Sequence, residues 1–230
     1  MKQNIEIISL VFKSVEYTRL ICEQLKSENC LLDGWDVGVR LVLNDATDEV
    51  IEEVRKLDIN YTIYNDRNIT EFWCNRMYRC YNYAAKTSEY DNVCFVNSDM
   101  IFSRGWLKNL LKYHNGKYIP CSRLVESGKL RSAKLVITKD FGRHPNNINY
   151  EGFAKFAEEV TQNSIHSGGL FMPCVFNKKR FFEFGMYPEG DAPNSGDRQF
   201  FTHVENSFGV KHITVFDSIV YHIQTGERDE

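Results

Sequence analysis

Apolar positions along the first half of the chain switch repeatedly between a short, continuous spacing and a helical one. Residues 5–12 (IEIISLVF) are β-branched and mostly apolar, which predicts a strand. Residues 15–25 place Leu20, Ile21 and Leu25 at helical spacing. The same alternation follows with strands at 35–44, 59–65 and 92–96 and helices at 47–57, 71–86 and 104–114. The helix at 47–57 carries acids in its first turn, where they complement the helix dipole. Strands alternating with helices predict βαβ units around a mostly parallel sheet, an α/β fold. The second half is less regular. It predicts a polar loop at 144–150, a short helix at 151–160 and a strand at 168–176 opened by Gly168-Gly169. A helix at 196–208 and a closing strand, or pair of strands, at 212–222 complete it. No repeat or linker interrupts the pattern, so 1–230 is expected to be a single domain.

Within this pattern, polar clusters fall where strands are predicted to end. Lys13-Ser14 follows the first strand, Asn44-Asp45 the second and Asn97-Ser98-Asp99 the fourth. Asp99 lies between the apolar stretches 93–96 and 100–102, where an unpaired carboxylate is costly to bury. One such acid is an ordinary cap or turn former. Three clusters point to a binding crevice at the carboxyl ends of a parallel sheet. No GxGxxG follows the first strand and no GxxxxGK[ST] occurs anywhere, which excludes a dinucleotide-binding Rossmann domain and a P-loop enzyme on motif grounds.

Composition narrows the partners. The net charge is −3, and the densest basic cluster is Lys178-Lys179-Arg180, which reads as a solvated helix face, so nothing recruits nucleic acid. No apolar run is long enough to cross a bilayer, and the N-terminal segment does not read as a signal peptide. The seven cysteines form no CxxC pair and sit mostly in apolar contexts. They imply a reducing compartment, with a cytoplasmic location expected. Trp73 and Trp106 read as core anchors. Nothing in the sequence indicates an oligomeric state.

Taken in order, several segments resemble the GT-A-fold glycosyltransferases of the family 2 type over nearly the whole chain. The first strand, loop and helix (IISLVFKSVEYTRLICEQL) match, and LNDATD stands where the second strand of that family ends in an acidic pair. Arg76 precedes Asn82 by six residues, and Asp99 follows Asn82 by seventeen, at the last acid of the family's DxD element. SGGLFMPCVFNKKRFFEFGMYPEG, SGDRQFF and VYHIQTGE match later segments. Two positions depart from the pattern: Asn97 replaces the first acid of DxD, and Gly196 replaces the acid that usually precedes the catalytic Asp.

The resemblance implies a single Rossmann-like GT-A domain, with 1–100 as the nucleotide-binding half and 101–230 as the acceptor-binding half. It implies an inverting transfer from a nucleotide-sugar donor, a UDP-sugar first, to a hydroxyl of a carbohydrate or glycoconjugate acceptor. Asp99 and His222 would hold Mn²⁺ or Mg²⁺, the mixed oxygen and nitrogen pair favouring Mn²⁺. Asp197 would be the general base, with Asp191 or Glu189 as substitutes. Phe12 would border the nucleobase. Asp45 and Arg76 would read it, with Asn44 able to stand in for Asp45. Ser14, Asn82 and Ser98 fall at donor-site positions, and Gly168-Gly169 would let the backbone approach the sugar or acceptor. Plain structural readings stay open beside these, with Asp45 and Asp197 as helix caps and His222 as a polar strand end. So do a sugar-phosphate nucleotidyltransferase, disfavoured by the absence of glycine in FKSVEYTR, and a non-catalytic glycan- or nucleotide-binding module on the same fold.

Overall fold

The structure, a computed structural model, describes residues 2–66, 73–130, 133–189 and 196–224, and of Trp73 only the backbone. Its centre is a mixed, mostly parallel sheet. The run at 5–12 forms β1 (Gln3–Val11), which pairs in parallel with β2 (Trp35–Asn44) on one side and β4 (Asn92–Val96) on the other. Strand β3 (Asn60–Tyr64) extends the sheet beyond β2. The connecting helices are α1 (Val15–Lys26), α2 (Asp48–Val54) and α3 (Trp73–Thr87). This is the βαβ half that the hydrophobic periods predict, and all five residues of β4 are buried, as its unbroken apolar run requires.

Beyond β4 the sheet changes direction. The strand expected at 168–176 forms only as β9 (Cys174–Asn177), antiparallel to β4. Gly168 and Gly169 both adopt positive φ and Pro173 has no N–H to give a ladder, so the residues before Cys174 remain a loop. Next in the sheet comes β6 (Tyr118–Glu126), which the hydrophobic pattern does not predict because Pro120, Ser122 and Arg123 break it. Pro120 sits near the strand start, one residue before the pairing with β9 at Cys121, where a missing donor is tolerated.

The predicted closing strand is β10 (Lys211–His222), parallel to β6 with an irregularity between Val215 and Ile219. The bend lets β10 serve two further partners. Its first part pairs with β8 (Ile165–Ser167), and its end pairs antiparallel with β5 (Met100–Phe102). The two-residue β7 (Ile137–Thr138) joins the end of β6. The path is β3-β2-β1-β4-β9-β6-β10-β5. The remaining helices are α4 (Trp106–Leu111), α5 (Tyr150–Val160), α6 (Lys178–Glu183) and α7 (Gly196–Phe208). Lys178-Lys179-Arg180 opens α6, as a helix face should.

Helix α1 packs on α2, while α3 packs on α7. The main core gathers β1, β2 and β4 with an aromatic cluster of Phe95, Tyr81, Phe176, Phe181, Tyr187 and Phe200. Trp106 is fully buried and stacks on Phe102 at 4.3 Å, the anchoring role its sequence context implies. All seven cysteines are free. Among the described residues no helix is long and apolar enough to cross a membrane.

One buried ion pair fastens this half. Arg40 on β2 donates to Glu6 on β1 at 2.9 Å and to the Ala84 carbonyl of α3 at 2.7 Å. Removing one partner leaves the other charge buried and unpaired. Arg40→Met is therefore expected to cost about 3–5 kcal/mol in urea denaturation, and Glu6→Leu in the same chain to recover most of it.

Candidate active site

The carboxyl ends of β1, β2 and β4 carry the three polar clusters, and chain topology brings the end of β10 beside them. Asp99 lies in the turn between β4 and β5. Its carbonyl accepts from the Ile223 N–H at 3.0 Å, so the turn is pinned to the residue after β10. That places His222 Nε2 3.3 Å from Asp99 Oδ2, with side-chain exposures of 19% and 6%. The other ring nitrogen, Nδ1, lies 3.1 Å from Glu126 Oε1 at the end of β6, and the Gln224 side-chain amide donates to the second Glu126 oxygen at 2.8 Å. Burial opposes a charge on His222, but Asp99 and then Glu126 outweigh it and push its pKa up to about 10.

This donor set fits a divalent cation. Two ligands about 2.1 Å from an octahedral ion at a right angle stand about 3.0 Å apart, close to the separation of the Asp99 oxygen and the His222 nitrogen. Glu126 holds the far nitrogen as the donor, which in the neutral ring turns the Nε2 lone pair toward Asp99. Among the described residues no group of three His, Cys, Asp or Glu is arranged to hold an ion alone.

A second cluster forms around Asp45. This residue follows β2 in the left-handed region at φ 51°, a conformation Asp tolerates better than most, and its N–H donates to the Tyr64 carbonyl at 2.9 Å. The Asp66 N–H holds Asp45 Oδ1 at 2.9 Å. Asp66 is itself gripped by the Tyr64 hydroxyl at 2.9 Å and by Arg79 at 3.0 Å, and these contacts hold its carboxyl below the usual range, the Tyr64 bond first. Oδ2 of Asp45 faces Arg76 Nε at 3.9 Å without a hydrogen bond. The Arg76 guanidinium lies over the Phe12 ring at 4.9 Å, and the Phe12 carbonyl accepts from Thr47 N–H at 3.0 Å. The structure thus brings Phe12, Asp45 and Arg76 together, with Asn44 buried beside them.

Asp197 opens α7 and is mostly withdrawn from solvent. Burial raises its pKa, partly offset by the Arg198 N–H at 2.6 Å and by the Tyr78 hydroxyl. Tyr78 on α3 also explains the departure at Gly196. A Cβ there would come 2.7 Å from the Tyr78 ring, so the acid usual at that position has no room. Asp197 and Asp99 flank one pair of tyrosines on α3: Asp197 bonds Tyr78, and Asp99 is among the charges that raise the already buried Tyr81.

The remaining expected site residues make contacts within the chain or lie beside the site. Ser14 caps α1 by accepting from Tyr17 N–H at 3.3 Å. Asn82 spends its side chain on the chain itself, donating to the Tyr187 carbonyl at 2.8 Å and to Glu189 at 2.9 Å and accepting from Tyr187 N–H at 3.0 Å. Gly168 and Gly169 lie beside His212 and Thr214, and a Cβ at Gly169 would strike Thr214 and Leu135, so packing alone requires that glycine. Ser98 is half-buried in the turn next to Asp99. Asp191 lies outside the described residues. Sequence reasoning missed Glu126, Gln224, Asp66, Arg79 and Tyr78, whose roles arise from contacts across the fold. Asn97-Ser98-Asp99 and VYH were legible as strand ends and through the family resemblance.

No family model matches the chain, and no curated protein matches its sequence. Solved structures do. GalNAc-T7 with UDP, GalNAc and Mn²⁺ aligns with TM-score 0.57 at 9% identity, over 95% of this chain and 43% of that one. The mannosyltransferase PcManGT from Pyrobaculum calidifontis, in complex with GDP-Man and Mn²⁺, aligns with TM-score 0.61 at 13% identity, over 97% and 57%. S. aureus TarS 1-349 aligns with TM-score 0.57 at 14% identity, over 96% and 60%. The chain has the GT-A fold. It spans between 43% and 60% of the length of these structures.

The packing at Gly196 has a direct consequence. Gly196→Glu is expected to lower the melting temperature by colliding with the Tyr78 ring, and Tyr78→Ala in the same chain to relieve part of that loss. Thermal denaturation of the single and double variants measures it, and additive losses would place the strain elsewhere.

Proposed function

We propose that this protein is a glycosyltransferase that moves a sugar from a nucleotide-sugar donor to an acceptor hydroxyl with inversion at the anomeric carbon. The observation that carries the reading is the pairing of Asp99 with a His222 oriented by Glu126. The pair stands at the same sheet pole as Phe12, Asp45 and Arg76, on a fold it shares with one structure that holds UDP, GalNAc and Mn²⁺ and another that holds GDP-Man and Mn²⁺. Asp99 and His222 would hold Mn²⁺ in preference to Mg²⁺, and the bound cation supplies Lewis-acid neutralisation of the charge that grows on the leaving diphosphate.

The chain's own residues account for the rest. Phe12 and Arg76 form one wall of the nucleobase site. Asp45 has one oxygen taken by Asp66, so it offers a single acceptor. Uracil presents one imide N–H between two carbonyls, whereas guanine presents two donors side by side and suits a carboxylate with both oxygens open. That favours a UDP donor. Residues 1–100 form the nucleotide half and 101–230 the acceptor half in this reading. Asp197 takes the proton of the acceptor hydroxyl while that oxygen attacks the anomeric carbon and the bond to the diphosphate oxygen breaks. Attack on the face opposite the leaving group inverts the centre. The acceptor is a carbohydrate or glycoconjugate hydroxyl. A binding module on the same fold would release no nucleoside diphosphate from a UDP-sugar incubated with Mn²⁺, which separates the two readings.

Asp99→Ala is expected to abolish Mn²⁺-dependent binding of UDP while leaving the fold intact. Calorimetry of UDP with and without Mn²⁺ checks it, and unchanged affinity would remove the metal role.

Asp197→Asn is expected to lower turnover by at least about 10²-fold with donor affinity unchanged, since only the capacity to accept a proton is lost. The base works ionised, so activity is present above its pKa and fades as pH falls through it. Burial places that limb above the usual aspartate range. Tyr78→Phe removes a hydrogen bond that favours the carboxylate, so the acid limb of kcat/KM should move to higher pH. A limb that stays in place would exclude Asp197 as the titrating base.

A further inference from the structure

Buried polar atoms are nearly always paired, so orphaned ones call for an explanation. Among the described residues, the buried side-chain atoms without a hydrogen-bond partner are concentrated on two short segments at one pole. Six of the ten among the described residues lie there: Asn44 Oδ1, Asp45 Oδ2, Thr47 Oγ1, both amide atoms of Asn75, and Arg76 Nε; the other four, Ser9 Oγ, Arg40 Nε, Trp106 Nε1 and Asp217 Oδ1, are single atoms elsewhere in the chain. Asn44, Asp45 and Arg76 already belong to the nucleobase site. Asn75 has no assigned role, and it is the extreme case. It is 1% exposed, and neither its donor nor its acceptor is used.

Asn82, seven residues on along α3, supplies an internal comparison. It too is a buried asparagine, and every one of its needs is met by Tyr187 and Glu189. Asn75 precedes Tyr78 by three residues, so both fall on one face of α3, and side chains on a helix lean toward its N-terminal end. The Asn75 amide therefore stands one turn beyond Tyr78, on the side where the helix meets the carboxyl ends of the strands. Its chain neighbour Arg76 faces the nucleobase site, while Tyr78 bonds Asp197. Asn75 is thus set between the group that would read the base and the group that would deprotonate the acceptor.

We propose that Asn75 binds hydroxyl groups of the sugar being transferred, and so contributes to sugar specificity. This rests on the glycosyltransferase reading above. In that reading the sugar lies between the nucleoside diphosphate and the acceptor base, the interval Asn75 occupies. The chemistry of the amide agrees. A phosphate would use its N–H donors and leave the carbonyl orphaned, whereas a sugar hydroxyl both donates and accepts and satisfies the two together. A site built to hydrogen-bond hydroxyls also rejects a sugar that lacks them, because the buried amide is then left unpaired.

The test compares wild type, Asn75→Ala and Asn82→Ala by thermal melting without ligand. Calorimetry with Mn²⁺ then uses UDP alone and a panel of UDP-glucose, UDP-galactose and UDP-N-acetylglucosamine. Asn75→Ala is expected to melt no lower than wild type, since it removes an unpaired amide, whereas Asn82→Ala melts lower. Asn75→Ala should bind UDP as wild type does and bind the preferred UDP-sugar roughly tenfold more weakly, the loss of about 1.4 kcal/mol of contact. A melting temperature lowered as far as in Asn82→Ala would make Asn75 structural and overturn the assignment. So would an equal loss for UDP and UDP-sugar, which would move the contact to the nucleotide, or an unaltered UDP-sugar affinity. Wild type that binds neither UDP nor any of the sugars would remove the function reading itself and Asn75's role with it. Wild-type binding that Asn75→Ala does not change removes only the latter.

Discussion

Strand β10 pairs with β6 through nine registered positions and ends against β5, where His222 sits opposite Met100 and the next N–H closes on the Asp99 carbonyl. Asp99, Glu126 and His222 come from three places in the chain: Glu126 ends β6, His222 ends β10 and Asp99 lies just before β5. The irregularity between Val215 and Ile219 separates the part of β10 that pairs with β8 from the part that pairs with β5. Asp217 in that bend is buried, its carboxylate bonded to Lys112 at 2.8 Å, and Ser218 donates to the Trp106 carbonyl at 2.8 Å, so the bend is fastened from α4. The geometry of the candidate metal pair is therefore a property of the sheet, held by backbone pairing more than by the two side chains themselves.

The same economy governs the nucleobase side. Asp45 is held by the Asp66 N–H, and Asp66 by Tyr64 and Arg79, so the carboxylate is fixed before any ligand arrives. One oxygen is spent on that support and one remains. Fixed polar groups of this kind cost stability when empty and need no rearrangement when filled, which is why unpaired buried atoms gather where binding is expected. The rest of the fold carries few such atoms among the described residues, and the aromatic core around Phe95 and Tyr187 carries none.

The two departures from the family pattern have different standing. Asn97 leaves Asp99 as the one acid of its turn, and the structure supplies His222 and Glu126 around it. Gly196 lies against the Tyr78 ring, which a Cβ there would strike, and Tyr78 bonds Asp197.

The hydrophobic periods alone determined the first half of the fold, since β1, β2, β3, β4 and the helices between them are local, strongly patterned and buried on predictable faces. They also located Asp45, Asp99 and His222, because an acid or a histidine directly after an apolar strand is visible in one dimension. Ser14 was visible by the same route, Gly169 as a turn glycine and Asn82 through the family resemblance, and the structure shows all three making contacts within the chain. Strand β6 stayed hidden because Pro120, Ser122 and Arg123 break its pattern, and with it went Glu126. Asp66, Arg79, Tyr78 and Asn75 carry no signal in sequence because their roles are relations: a bond across twenty-one residues for Asp66, a hydroxyl set against α7 for Tyr78, an amide with no partner for Asn75. Period and polarity report which side of an element faces the core. Which groups then meet, and which are left unpaired, is decided only when the elements pack.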